Sequence, residues 1–344
     1  MSRFCVLALA SMIVACDSAP NELTRPPRDP ALYAHPKDDA LRIDHLQVKA
    51  THNSYHIAPS EKTIPDWSYT HAPLDVQLDE QGVRGVELDL HWDGQGEIRV
   101  LHVPLLDPKT TCATFRECLE TLKRWSDFHP GHHVIFVQLE PKISPSSEAQ
   151  REAFFELVDG TIRDVLPPEF LVTPDDVRRD ADTLAEALET YGWPTLGETR
   201  GRFLFYFDCS RELALAYAGP EGKLEGRVLF PDSEPDDPFA GVMIVNTPGE
   251  HAREMVERGY LVRVFAESVS DLLVDGEAPE EGTLRLEAAL ESGAQVISTD
   301  VPVPRPDLDY VTEIPGGTPS RCNPVTAPAG CTSLDLEDPS RIAP

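Results

Sequence analysis

Histidine, amide and acidic side chains recur at the points where short apolar runs of this sequence end. His52 and Asn53 follow one run, and Glu87 and Asp89 alternate along the next. Alternate positions of a β-strand share one face, so we expect these two carboxylates to point the same way. Polar residues of the same kind follow later runs, namely His102, Glu140, Lys142, Asp208 and Asp300.

Each of these residues also has a simpler explanation, because a histidine can be a core residue and an acid can cap a helix. Together they would form a repulsive and poorly satisfied cluster unless a divalent cation neutralised it. The oxygen ligands that calcium and magnesium prefer are offered by Asn53, Glu87, Asp89 and Glu140. The absence of cysteine and of closely spaced histidine pairs here disfavours zinc.

Short apolar runs recur from residue 43 onward, often with a helical pattern between them. The predicted strands are 46–50, 85–91, 98–102, 133–139, 202–208, 241–245, 260–266 and 295–299. Helical periodicity is found over 114–128, 147–165, 251–258 and 284–292. About eight strands alternating with helices predict a single-domain α/β fold, an irregular TIM-type (β/α) barrel, with a doubly wound sheet as the alternative.

The connection between the second and third predicted strands is too short for a regular barrel repeat, because it contains only residues 92–97. A parallel crossover needs about a dozen residues or more, so this connection is predicted to be a turn. We assign the barrel to residues 41–303, with an inserted helix-containing segment at 166–200. The active sites of parallel barrels lie at the carboxyl ends of the strands, where the polar residues above occur.

Several segments resemble the catalytic half of phosphatidylinositol-specific phospholipase C, namely residues 50–56, 85–93, 100–102, 115–125 and 137–142. Further similarity at 298–300 and 322–328 makes the bacterial, calcium-dependent branch the closer resemblance. The similarity covers roughly residues 44–331 and is densest in 46–142. The His-Asn pair at 52–53 and the Glu-x-Asp pair at 87–89 are specific in combination and weak separately.

The resemblance implies a calcium-dependent phosphoric diester hydrolase of the phospholipase C type. His52 and His102 would be its catalytic histidines, and Lys142 would lie near the substrate phosphate or ring hydroxyls. The calcium ligands would be Asn53, Glu87, Asp89 and Glu140. Calcium would activate the inositol 2-hydroxyl for in-line attack on phosphorus, and water would then open the cyclic phosphate. Glu87 and Glu140 both remain candidates for the general base.

The chain departs from this family on the seventh predicted strand. Related bacterial members carry a run similar to Arg-Thr-Arg-Ala-Asp, whereas this chain has Arg263-Val264-Phe265-Ala266-Glu267. One arginine is retained as Arg263, which the resemblance assigns to substrate binding, the other is lost, and Glu267 replaces the acid. Because this strand helps to bind the head group in the family, the expected substrate is phosphatidylinositol or a related phosphodiester. One alternative is a glycerophosphodiester phosphodiesterase-like enzyme, although the usual His-Arg-Gly and Glu-Asn motifs are missing. The other is an inactive barrel that serves as a surface binding lipoprotein.

The amino-terminal residues have the order of an export signal, since Arg3 precedes an apolar run that ends in small residues. Residues 13–16, Ile-Val-Ala-Cys, resemble a bacterial lipobox, which implies removal of residues 1–15 and lipid attachment to Cys16. An ordinary secretory signal is the alternative. Residues 16–40 are rich in proline and predict a tether. We therefore expect an exported lipoprotein of the bacterial cell envelope, periplasm-facing or on the cell surface, held to a membrane by its anchor.

The remaining cysteines fit an oxidising compartment. Short sequence separations favour two local disulfides, Cys112–Cys118 and Cys322–Cys331, which leaves Cys209 as a lone thiol. Metal binding by cysteine is the alternative, but the sequence contains no CxxC pair to support it. Residues 304–344 are predicted to be a proline-rich tail closed by the second disulfide.

The formal net charge is −29, from 59 acidic and 30 basic residues. This balance argues against nucleic acid as a partner, because phosphate binding needs clustered lysine and arginine. The expected binding partner is a phospholipid or a small phosphodiester, and we expect the protein to act as a monomer.

Overall fold

The structure is a computed structural model that describes residues 29–60, 64–269, 272 and 278–342. The predicted signal peptide and the lipidation site Cys16 lie outside these residues. Within them, no helix is both long and apolar enough to cross a membrane.

The strands are β1 (Leu46–Thr51), β2 (Val83–His91), β3 (Arg99–Val100), β4 (Ile135–Pro141), β5 (Leu171–Val172), β6 (Phe203–Phe207), β7 (Phe230–Pro231), β8 (Val242–Ile244), β9 (Leu261–Phe265), β10 (Val296–Thr299) and β11 (Arg321–Cys322). The α-helices are α1 (Leu74–Glu80), α2 (Phe115–Phe128), α3 (Glu148–Val165), α4 (Pro174–Arg178), α5 (Leu184–Tyr191), α6 (Leu196–Thr199), α7 (Arg211–Ala218), α8 (Glu250–Glu257), α9 (Ala278–Ser292) and α10 (Ser333–Leu336).

A parallel sheet curls into the predicted α/β barrel. Neighbouring strands follow the order β6-β4-β2-β1-β10-β9-β8, and β7 adds to the free edge of β6. The ring closes where Asp232, just after β7, forms a parallel bridge with Val242 of β8. The backbone N–H of Ser233 donates to the Val242 carbonyl at 3.1 Å across this seam. The carboxyl ends of the strands therefore surround one mouth.

The third predicted strand does not belong to the barrel. β3 pairs antiparallel with the end of β2, through Leu90–Val100 and His91–Arg99, so the predicted turn at 92–97 is confirmed. β2 instead pairs directly with β4, and the sequence analysis missed β7, which lies in the ring between β6 and β8. A strand of two residues, Phe230–Pro231, is too short to show the alternation by which strands are recognised.

Helices α2 and α3 begin within one residue of their predicted starts because each has a side-chain cap. Thr114 accepts a hydrogen bond from the backbone N–H of Glu117, and the Glu117 carboxylate accepts one from the backbone N–H of Thr114. Ser147 caps α3 in the same way through the N–H of Gln150. Caps of this kind stabilise a helix by about 1 kcal/mol and fix where it begins.

A glycine brings the first two barrel strands unusually close together. A Cβ atom on Gly85 of β2 would lie 2.6 Å from the Cβ of Ala50 on β1, so no larger side chain fits. The strand ends are then joined by Ser54, whose backbone N–H donates to the Glu87 carbonyl at 3.0 Å. Its hydroxyl accepts from the Glu87 N–H at 2.7 Å. These contacts align the segment after β1 with the acidic residues of β2.

The described part of the predicted tether packs on the domain rather than extending away from it. Tyr33, His35 and Asp38 are buried. Asp38 pairs with the buried guanidinium of Arg200 at 2.6 Å, and Arg200 also donates to the carbonyl of Leu336. A buried arginine needs a counterion, and this need holds residues 29–40 against the barrel.

The carboxy-terminal segment also packs on the barrel. β11 pairs antiparallel with the start of β1, and the predicted disulfides Cys112–Cys118 and Cys322–Cys331 are both confirmed. Cys209 has a free thiol, as predicted. Beyond β11, the fully buried carboxylate of Glu337 accepts hydrogen bonds from Arg84 of β2 and from the backbone N–H of His133.

Replacing Glu337 with glutamine should destabilise the fold by about 3–5 kcal/mol, because it leaves the buried Arg84 without a counterion. Urea unfolding measures the loss. The matched control is Asp164→Asn in the exposed pair Arg116–Asp164, with an expected cost below about 1 kcal/mol. Equal costs for the two variants would contradict this role for the buried pair.

The same contribution should depend on pH. Burial raises the pKa of Glu337, but Arg84 outweighs burial and lowers it to about 2. A carboxylate with a lowered pKa stabilises the fold fully above its unfolded pKa of about 4.3, and the contribution disappears as pH falls towards the folded value. The difference in free energy of unfolding between wild type and Glu337→Gln should therefore persist at about pH 5 and shrink near about pH 2.

Candidate active site

Three carboxylates converge at the mouth of the barrel. Glu87 and Asp89 lie on β2 and Glu140 lies on β4, with Asp89 and Glu140 in register on adjacent strands. One oxygen of each carboxylate lies within 4.8 Å of one oxygen of the other two. Glu87 and Asp89 are buried, whereas Glu140 is partly exposed at the rim. The structure thus brings together three of the four residues predicted to hold a cation.

Asp89 is the least satisfied member of this cluster. It is completely buried, and neither of its carboxylate oxygens accepts a hydrogen bond from any residue the structure describes. The Lys142 ammonium lies 3.5 Å from one of them. Burial raises the pKa of Asp89 well above its ordinary value, and the charges of Glu140 and Glu87 add to this effect. Bare, clustered carboxylate oxygens suit a hard cation such as calcium.

Asn53, the fourth predicted ligand, lies on the turn that follows β1. Its backbone has a left-handed conformation, with a φ of 45°, which asparagine tolerates better than most residues. The Tyr55 hydroxyl donates to its amide oxygen at 3.1 Å, and its amide nitrogen donates to the Tyr69 hydroxyl at 3.1 Å. Burial raises the pKa of Tyr55, and the nearby charge of Asp89 raises it further. The Tyr55 hydroxyl is therefore close to both Asn53 and the carboxylate cluster.

The two predicted substrate-binding cations both pair with carboxylates of the cluster. The guanidinium of Arg263 on β9 donates to Glu87 at 2.9 Å and to the Ser298 hydroxyl at 3.2 Å. Lys142 donates to Glu140. Arg263 is buried and Lys142 is partly exposed. Each cation therefore offsets part of the negative charge at the mouth.

His52 lies between the carboxylate cluster and a second acid. Its Nδ1 is 2.8 Å from Asp300, and its Nε2 is 3.8 Å from Glu87. The ring of Phe265 packs against it, with ring centroids 4.7 Å apart. Burial lowers the pKa of His52, but Glu87 and Asp300 outweigh burial and raise the pKa to about 9. The two carboxylates thus favour the protonated imidazole.

His102 lies after β3 and is also held through its Nδ1. That atom is 2.8 Å from Asp107, and the edge of Trp67 packs against the ring at a centroid distance of 5.4 Å. Burial lowers the pKa of His102, against the opposing effect of Asp107. In both histidines a carboxylate binds Nδ1, which leaves Nε2 as the atom for chemistry.

The sequence analysis did not select the residues that orient these two histidines. Asp300 was noticed at the end of a predicted strand without a role, and its contact with His52 joins positions distant in sequence. Asp107 and His56 lie on loops, and the pattern of strand ends does not point to loop residues. His56 contacts the same oxygen of Asp107 as His102 does, at 2.7 Å.

More acids continue the ring of the mouth. Asp208 follows β6 and Asp232 follows β7, at the level of Asp89 and Glu140 in the strand register. Burial raises the pKa of Asp208 to about 7 and that of Asp232 to about 6. The side of the mouth formed by β2, β4, β6 and β7 is therefore strongly acidic.

A parallel barrel with clustered carboxylates and two oriented histidines at its mouth is the arrangement of a metal-assisted hydrolase. The profile of the family described as phosphoinositide phospholipase C, Ca2+-dependent, matches residues 41–98 and 95–324. The chain belongs to this family. It is therefore a calcium-dependent phosphodiesterase of the phospholipase C type, as the sequence analysis predicted.

Solved structures show the same fold. A Ca2+-dependent phosphatidylinositol-specific phospholipase C from Streptomyces antibioticus matches with a TM-score of 0.58 and 22% identity, over 76% of this chain and 95% of that chain. A calcium-dependent phosphoinositol-specific phospholipase C from a Gram-negative Pseudomonas species matches with a TM-score of 0.55 and 18% identity, over 78% and 93%. No curated protein matches the chain by sequence.

Calcium should raise the melting temperature of the protein, and Asp89→Asn should abolish the increase because it removes the carboxylate whose buried oxygens accept no hydrogen bond from the described residues. Without calcium the variant should be at least as stable as wild type, since a repulsive buried charge is removed. Thermal unfolding with calcium or with chelator measures both effects. The matched control, Asp93→Asn at an exposed position just beyond β2, should respond to calcium as wild type does. A calcium response that survives Asp89→Asn would contradict this assignment.

Proposed function

We propose that this chain cleaves phosphatidylinositol, or a closely related phospholipid, between the phosphate and the diacylglycerol. The observation that carries the proposal is Asp89, whose buried oxygens accept no hydrogen bond from the described residues, within a carboxylate cluster at the same mouth as His52 and His102. The proposed cation ligands are Asn53, Glu87, Asp89 and Glu140. Calcium bound there supplies a Lewis acid that neutralises charge on a phosphate oxygen and acidifies the attacking hydroxyl.

In this proposal the two histidines have different tasks. His52 lies between Glu87 and Asp300, whose charges favour its protonated form, and in that form it stabilises the charge that builds on the phosphoryl oxygens. His102, whose pKa is lowered by burial, releases a proton more readily than His52 does. Groups whose environments push their pKa values apart divide acid and base roles in this manner.

The first step forms a bond between the inositol 2-hydroxyl oxygen and phosphorus, and it breaks the bond from phosphorus to the glycerol oxygen. Glu87 or Glu140 accepts the hydroxyl proton, and protonated His102 gives its proton to the departing glycerol oxygen. In the second step His102 takes a proton from water as the water oxygen bonds to phosphorus. The bond from phosphorus to the inositol 2-oxygen breaks, and the carboxyl protonated in the first step returns its proton to that oxygen. Arg263 and Lys142 offset part of the negative charge of Glu87 and Glu140. In the proposal they also bind the phosphate or the ring hydroxyls of the substrate.

A lipid substrate is supported by an apolar turn beside the site. Residues 103–107 form a tight loop in which Val103 and Asp107 exchange two backbone hydrogen bonds. At its tip Leu105 is 95% exposed and Leu106 is 66% exposed. Two leucines in water next to the residue that orients His102 suit contact with the apolar part of a bilayer.

The acidic side of the mouth favours a head group that carries hydroxyls rather than further phosphates. Asp208 and Asp232 can accept hydrogen bonds from hydroxyl groups, whereas they repel anions. The two cations in contact with the carboxylate cluster, Arg263 and Lys142, already pair with Glu87 and Glu140. Unphosphorylated inositol fits this distribution of charge.

His52→Ala and His102→Ala should each lower kcat on phosphatidylinositol by about 10²–10⁴-fold, because each removes a group that handles charge or a proton in the transition state. The measurement is release of inositol phosphates at saturating calcium. His129→Ala, which alters a partly exposed histidine paired with Asp79, is the matched control and should keep wild-type activity. Full activity in either site variant would refute the two-histidine mechanism.

A Leu105→Asn, Leu106→Asn double variant should lose most activity on phosphatidylinositol vesicles and keep its activity on soluble glycerophosphoinositol. Burial of a leucine in an apolar phase contributes about 1.5–3 kcal/mol, so vesicle binding should weaken by at least about tenfold. Leu334→Asn on α10, near the opposite end of β1 and 54% exposed, is the matched control. Equal losses on both substrates would favour a soluble phosphodiester as the substrate.

A further inference from the structure

Three side chains meet beside the mouth in an arrangement that the proposed mechanism does not yet use. The Nε2 atom of His56 and the Nδ1 atom of His102 lie 2.7 and 2.8 Å from the same oxygen of Asp107. His56 and Asp107 are completely buried, whereas the side chain of His102 is 21% exposed. The other ring nitrogen of His56, Nδ1, lies 3.0 Å from the backbone carbonyl of Tyr69.

The contacts of His56 restrict where its protons can be. A carbonyl oxygen only accepts hydrogen bonds, so Nδ1 of His56 must carry a hydrogen. If Asp107 is ionised, Nε2 of His56 carries a second hydrogen and the ring is a cation. If His56 is neutral, Asp107 is protonated and donates to Nε2. In both arrangements the pair His56–Asp107 has no net charge.

Both arrangements also fix the state of His102. The shared oxygen of Asp107 accepts from Nδ1 of His102 in either case, so this nitrogen carries the hydrogen and Nε2 faces the reaction. The reverse arrangement, in which Asp107 donates to His102, requires His56 to be a cation beside a neutral acid. A buried charge without a counterion is costly, so this arrangement is disfavoured.

The same residues do not have the spacing of a metal site. Both nitrogen atoms are at hydrogen-bonding distance from one carboxylate oxygen, which occupies the point where a tetrahedral ion would have to lie. Nitrogen and oxygen ligands of zinc lie about 2.0–2.2 Å from the ion. Two such ligands of a tetrahedral ion are therefore more than about 3 Å from each other, which is farther than the nitrogen–oxygen distances observed here. The contacts are therefore hydrogen bonds.

We infer that His56 and Asp107 are a charge-neutral positioning pair for His102. Asp107 fixes the tautomer and orientation of His102, and His56 cancels the charge by which Asp107 alone would hold the proton on His102. This inference rests on the proposed catalytic role of His102. His56, a residue of the motif at 50–56, has no other role in the proposed chemistry.

The groups around His102 are consistent with a moderate hold of Asp107 on the His102 proton. Asp107 is the acid that faces its ring, whereas His56 and His52 both oppose a positive charge on it. His91 donates to the backbone carbonyl of His102 at 3.1 Å, and Trp67 presents its ring edge. His102 can therefore lose its proton to a leaving group and regain one from water in the second step.

The experiment combines kinetics with ¹⁵N-histidine NMR of the full chain, for wild type, His56→Gln and Asp107→Asn. Glutamine can still donate to Asp107 but carries no charge, so the pKa of His102 should rise by about 1 unit or more in His56→Gln. Asparagine can donate to Nδ1, so Asp107→Asn should place the hydrogen of His102 on Nε2. Its kcat should fall by about 10²-fold or more, with KM changed less than about threefold. Wild-type spectra should show hydrogen on Nδ1 of His102.

The outcomes separate this inference from the proposed function. If His102→Ala is inactive while both positioning variants keep the wild-type kcat, tautomer and pKa of His102, the inference is wrong and the proposed function stands. If His102→Ala is fully active, the proposed function fails first. A fall of the His102 pKa in His56→Gln, or hydrogen on Nε2 in wild type, also overturns the inference. The wild-type and His56→Gln spectra decide the matter even if Asp107→Asn does not fold.

Discussion

Crowding of negative charge at the barrel mouth is the constraint on which the rest of the site depends. The register of β2 and β4 forces Asp89 and Glu140 side by side, and Glu87 lies one layer below. Arg263 pairs with Glu87 and Lys142 pairs with Glu140, whereas Asp89 accepts no hydrogen bond from the described residues and shares Lys142, at 3.5 Å, with Glu140. The fold holds these carboxylates together against their mutual repulsion, and oxygen atoms clustered in this way suit calcium.

The two histidines show how similar contacts produce different chemistry. Each donates through Nδ1 to an acid, Asp300 for His52 and Asp107 for His102. His52 also faces Glu87, so negative charge dominates around it, whereas His102 shares its acid with His56. Proximity to a carboxylate is thus insufficient to predict the charge of a histidine, because the other partners of the carboxylate decide it.

Sequence patterns predicted what depends on periodicity and local spacing. The barrel, its longer helices, the hairpin at 92–97 and both disulfides follow from such signals, and three of the proposed cation ligands do meet in space. The short β7 and the partners of the histidines could not be predicted in this way. Asp107 acts from a loop, Asp300 acts across the pairing of β1 with β10, and tertiary contact alone gives these residues their places.

The loop at 103–107 combines an exposed apolar tip with the carboxylate that orients His102. Its tip holds Leu105 in a left-handed backbone conformation, with a φ of 69°, and its last residue is the carboxylate that orients His102. A membrane surface that moves the exposed leucines would also act on the two backbone hydrogen bonds between Val103 and Asp107. Contact with a bilayer would then alter the rate of proton transfer itself, in addition to the local concentration of substrate.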